Sequence, residues 1–189
     1  MISIVLASLL SVIPPVRPGA TPASSAPEAA PSQLTDAELQ QRIETLMGNI
    51  DSRIPEDQWR TLGPRGTALL ERMAQDPTVL SSKRAQAIAG LSVIAAASSA
   101  PVLLRLATSE EAPLTVRLAA VHGTASVVPA ARLGSALKPV LERARNGHVR
   151  SAAAEVLSRH GGCSLVRAQA QREDDQVRMQ RALQRCNDR

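Results

Sequence analysis

At 189 residues the chain is long enough for one domain with a continuous core plus a further segment, and its net charge of +5 rests almost wholly on arginine, with only Lys83 and Lys138 as lysines. A single aromatic residue, Trp59, leaves the core to aliphatic side chains and alanine, which suits closely packed helices and argues against a sheet. The positive charge sits late, with twelve basic and six acidic residues from Arg132 onward, net +6, and −1 for the rest; without stacking aromatics or a recognisable module there, a solvated arginine surface is favoured over a nucleic-acid site.

The first segment, MISIVLASLLSVI, is stopped by Pro14-Pro15. It falls short of the roughly 20 apolar residues that span a bilayer and reads as the apolar region of a signal peptide over 1–20. The alternative is an apolar N-terminal helix of a cytosolic protein. Pro14 to Ser32 is proline, alanine and serine with little that can pack, so 21–33 is read as a linker. Leader removal would place the protein in the periplasm or outside the cell with no transmembrane span; an unprocessed leader would leave it cytoplasmic.

Order begins at TDAELQQRIETLMGNI, where Thr35 and Glu38 have capping-box spacing and Leu34, Leu39, Ile43, Leu46 and Met47 follow helical spacing. A turn near Asp51 and Pro55 leads to EDQWRTL, a short helix expected to end at Gly63-Pro64, with Trp59 packing the segment over the open end of the domain. Residues 34–63 thus form an N-terminal helical cap.

From 64 to 189 the chain repeats. KRAQAIAGL from Lys83, VRLAAVHGT from Val116, VRSAAAEVL from Val149 and VRMQRALQR from Val177 start 33, 33 and 28 residues apart. Each follows a shorter apolar helix: TALLERMA, APVLLRLA, ALKPVLERA and CSLVRAQA. A unit of two helices recurring at this period buries its apolar face by stacking on its neighbours, which predicts an α-solenoid. In each unit the valine plugs the seam between repeats and the arginine ties turns together.

A turn residue with an acid or amide side chain, followed by Val-Arg at the head of the second helix, resembles the HEAT and HEAT-like repeats. The matches are Asn146 with Val149-Arg150 and Asp174 with Val177-Arg178; Glu111 with Val116-Arg117 is looser, and Asp76 with Lys83-Arg84 looser still. The resemblance implies a hydrogen-bonded ladder of these pairs between repeats, in a right-handed all-α solenoid of about four helical pairs. It also implies a non-enzymatic protein-binding scaffold whose second helices present a face to an unknown protein or peptide. Gln86, His122, Glu155 and Arg159 are candidate face residues by helical position. Two other functions stay open: a nucleic-acid binder using the basic C-terminal half, and an accessory enzyme of the HEAT-like lyase type.

Cys163 opens the first helix of the last repeat and Cys186 closes the second, equidistant from the turn at Asp174-Asp175. In an antiparallel hairpin they would meet at its open end, so a disulfide worth roughly 3 kcal/mol in loop entropy is expected. Two inert thiols, a reactive Cys163 beside His160, and a metal site of His160, Cys163 and Cys186 are the alternatives. No motif for hydrolysis, phosphate binding or paired-cysteine zinc binding is present, and no catalytic residue or cofactor is assigned. Glu173-Asp174-Asp175 is read as a helix cap.

Overall fold

The structure is a computed structural model that describes residues 34–48, 54–173 and 176–188, apart from the side chains of Gln176 and Arg178. The leader and linker segments, 1–20 and 21–33, lie outside the described residues, as does Asp174. The described residues are all-helical, with no strand, and no helix among them is long and apolar enough to cross a membrane.

Helix α1, Asp36–Gly48, opens on a reciprocal cap: Thr35 N–H donates to Glu38 Oε2 at 2.7 Å and Glu38 N–H to Thr35 Oγ1 at 3.3 Å. Its buried face is Leu39, Ile43 and Met47. Arg65 ties its start down, donating to the Leu34 carbonyl at 2.7 Å and to the Asp36 carboxylate. Helix α2, Glu56–Arg60, is followed by α3, Gly63–Gln75. Gly63-Pro64 therefore opens α3 rather than closing α2. Gly63 adopts φ 62° and proline suits the first turn, where its missing N–H would have no helical partner.

Four helical pairs follow. They are α3 with α4 (Ser81–Ile94), α5 (Ala100–Thr108) with α6 (Leu114–Val127), α7 (Ala130–Arg143) with α8 (Gly147–Arg159), and α9 (Cys163–Ala170) with α10 (Gln176–Asn187). Successive first helices touch, α3 to α5 to α7 to α9, and successive second helices pack likewise, α4 to α6 to α8 to α10. Leu70, Leu91, Leu103, Leu137, Leu141 and Leu157 are all essentially inaccessible and lie in one continuous core.

Two glycines 33 residues apart, Gly90 on α4 and Gly123 on α6, let neighbouring helices approach closely, α2 onto α4 at the first and α4 onto α6 at the second. A Cβ on Gly90 would lie 2.6 Å from Trp59 Cε3, and one on Gly123 would lie 2.5 Å from Ser92 Oγ. Trp59, 3 % exposed, is thus seated directly on the α4 backbone, where it closes the end of the row.

Val116 and Val149 are fully buried, as seam residues should be, but Val177 is 71 % exposed. Met179 is the buried residue near that end of α10, followed by Ala182 and Cys186. The valine-to-valine alignment of the last repeat is therefore out of phase. Its second helix is placed by the spacing Met179, Ala182, Cys186, which keeps one helical face on the core.

Gly90→Ala should lower the unfolding free energy by about 1–3 kcal/mol through overpacking against Trp59. Gly48→Ala, where nothing lies within 4 Å, should leave it unchanged or raise it slightly. Urea denaturation of the two variants checks this, and equal effects would contradict the seating of Trp59.

Candidate functional site

Two features recur on the pairs: a row of arginines at the turns and an outward face on the second helices. Each arginine stands at the start of a second helix, four residues into α4 and α6 and likewise four into α8. Arg84 and Arg117 are 6 % and 4 % exposed. A buried guanidinium needs its hydrogen bonds met, and each of the three finds acceptors at the end of its partner helix or in the turn that follows.

Arg84 Nε donates to the Ala74 carbonyl at 2.9 Å, in the last turn of α3. Arg117 grips Glu110 with both terminal nitrogens, at 2.7 and 2.8 Å. That end-on fork leaves Arg117 Nε as a buried nitrogen without a hydrogen-bond partner. Arg150 Nη1 donates to the carbonyls of Ala144 and Arg145 at 2.7 and 3.0 Å, while Nε reaches Glu173 Oε2 at 2.7 Å and Nη2 reaches Oε1. Carbonyls at a helix C-terminus lack helical donors and carry the negative end of the dipole, so a cation placed there is favoured twice.

These contacts differ from the expected pairs. Glu111 is exposed, and its neighbour Glu110 is the acid that holds Arg117. Asp76 closes its own turn, accepting from the Thr78 hydroxyl at 2.7 Å and the Thr78 N–H at 2.8 Å, while Arg84 uses a carbonyl. Asn146 caps its own helix by accepting from His148 N–H at 2.9 Å. Glu173 is buried on Arg150 rather than serving only as a cap. The α7–α8 turn, Ala144 to Asn146, contains no carboxylate, so Arg150 takes one from the next turn. Asp174 and the Arg178 side chain lie outside the described residues.

Polar bonds also run between pairs. Ser99 Oγ donates to Glu71 Oε1 at 2.6 Å and Arg105 to Gln75 Oε1 at 3.0 Å, joining the second pair to the first. Glu110 Oε1 accepts the Arg145 N–H at 3.0 Å, joining the second pair to the third. Arg150 with Glu173 joins the third to the fourth. Glu110, Glu71 and Ser99 were not singled out by sequence reading. The signal that could have found Glu110 is the need for a carboxylate within reach of each buried arginine.

On the outward face, His122 and Glu155 hold the same place on α6 and α8, 33 residues apart. The equivalent residue on α4 is Ala89, which is exposed; Gln86 sits nearly one turn earlier and is half-buried. Arg159 lies one turn beyond Glu155 and pairs with it at 3.6 Å, an exposed and weak contact. The face so formed is largely small, with Ala89, Ala119, Ala125 and Ser126 between the polar residues. No group of histidine, cysteine, aspartate or glutamate side chains that could hold a metal occurs among the described residues.

Cys163 and Cys186 are joined in a disulfide, with Cα atoms 5.5 Å apart. Gly161, at φ 86°, turns the chain out of α8 so that Cys163 can start α9. The disulfide is the pairing expected of two cysteines equidistant from the turn.

No protein-family model, curated protein or solved structure matches the chain.

The Arg117 hydrogen bond, and after it the Arg145 N–H, holds the Glu110 carboxyl below its ordinary value of 4.5. A group with a lowered folded value binds fewer protons folded than unfolded as pH falls past 4.5, so its contribution is complete above that value and is lost below it. Glu110→Gln should therefore flatten the acid limb of the stability–pH curve below about pH 4.5, while Glu111→Gln leaves it as in the wild type. Thermal melts across that range decide between the two residues.

Proposed function

We propose that the four helical pairs form a right-handed HEAT-like α-solenoid that acts as a non-enzymatic protein-binding scaffold. The observation that carries this reading is the 33-residue recurrence, in which α4, α6 and α8 pack in series and set His122 and Glu155 at one repeat position on an otherwise small-residue face. Stacked repeats of this kind offer a long surface without needing a pocket, and shallow, mixed chemistry suits an extended protein or peptide partner.

The working compartment in this reading is the cell envelope or the space outside the cell, reached through the apolar leader of residues 1–20. The disulfide supports it, since such bonds persist in oxidising compartments and are rare in the cytosol.

A photo-crosslinking residue placed at His122 or Arg159 should give covalent adducts with proteins of the native cell. The same residue at Ser135, on the first-helix side, should give few. Equal yields at all three positions would overturn the assignment of the binding face.

A further inference from the structure

The last helical pair contributes little apolar surface of its own. Among the described side chains, α10 buries Met179, Ala182 and Cys186, whereas α8 buries seven residues along its length. Leu183 is partly buried against the core, and the other described side chains of α10, Val177, Gln180, Arg181, Gln184, Arg185 and Asn187, are exposed. It packs chiefly on α8 and α9. Two tethers hold the pair. Arg150 grips Glu173 just before α10 begins, and the disulfide closes the far end, where Arg167 also donates to the Cys186 carbonyl at 2.7 Å. One of the three buried anchors of α10 is thus itself a disulfide cysteine.

The two sulfurs differ in access. Cys163 is half-buried, whereas Cys186 is 3 % exposed. We propose that the Cys163–Cys186 bond is a redox latch, whose reduction by a dithiol releases α10 and uncovers the apolar side of α8 while the helices from α3 to α8 stay folded. The dithiol's thiolate attacks the more open Cys163 Sγ, forms a mixed disulfide and expels Cys186 as a thiolate. The second thiol of the reductant then attacks its own bonded sulfur, frees Cys163 and closes the reductant's disulfide. Two electrons pass to the protein disulfide and two protons end on the cysteines.

Release stays local because the polar ties joining the first three pairs lie at Glu71, Gln75 and Glu110, away from the bond. Among the described residues, the Arg150–Glu173 pair, the Arg167 bond to the Cys186 carbonyl, Met179, Ala182 and the partly buried Leu183 would then oppose fraying of α10, a small set for a terminal helix.

The test is hydrogen exchange on the full chain, oxidised and after native treatment with dithiothreitol, with alkylated intact mass reporting the bond. Exchange over 176–187 should rise about tenfold or more on reduction and change less than about twofold in α3–α8. The double variant Cys163→Ser, Cys186→Ser should match the reduced protein, and Glu173→Gln should add to the rise only in the reduced form. A bond that resists dithiothreitol until the whole chain unfolds would overturn the proposal. So would an α10 that stays protected after reduction, or a loss of protection in all helices together.

Discussion

A guanidinium drawn in under a turn is costly unless its donors are met, and this chain places one at the head of each of its first three second helices, buried at Arg84 and Arg117 and partly buried at Arg150. Arg84, Arg117 and Arg150 each answer to the C-terminal end of the helix before them, through a carbonyl, a turn carboxylate or both. The turn cannot open without stranding the charge, so the angle between the helices of a pair is held by hydrogen bonding as well as by packing. Glu110 and Glu173 extend the same constraint from one pair to the next. The apolar core fills the space that this frame defines.

The all-helical class and the pairing of the helices were largely open to reading because their signals are periodic. A 33-residue recurrence of arginine, alanine and valine on paired helices has few physical solutions, and the cap at Thr35 and Glu38 is written in adjacent residues. The ladder's partners were harder to name. Glu110 and Glu111 are chemically identical in sequence, and the choice between them depends on which carboxylate the turn points beneath α6. Glu173 serves Arg150 from 23 residues away because the intervening turn has no acid, a substitution that only the spatial adjacency of turns reveals. Val177 misled because a Val-Arg pair looks the same in or out of phase, and the shortened interval before it moved the buried stripe to Met179. The cysteines were legible because an antiparallel hairpin sets equidistant residues side by side.

The proposed binding face was the least legible part, for a physical reason. Exposed positions on the second helices are not dictated by the core, so the sequence there is free, and Gln86 was placed on the face although Ala89 holds the equivalent position. A scaffold of the proposed kind would need a row of helices whose spacing does not drift. The inter-pair ties at Ser99, Arg105, Glu110 and Glu173 supply that, and the end of the row is closed on one side by Trp59 over Gly90 and on the other by the stapled α9–α10 hairpin.

The claim that carboxylates couple one pair to the next rests most directly on a single bond, from the Arg145 N–H to Glu110 Oε1 at 3.0 Å. Native-state hydrogen exchange at the Arg145 amide reads that bond alone. The amide should be protected in the wild type and lose that protection in Glu110→Ala while the core amides of α6 and α8 keep theirs. An Arg145 amide that exchanges equally fast in both proteins would contradict the coupling.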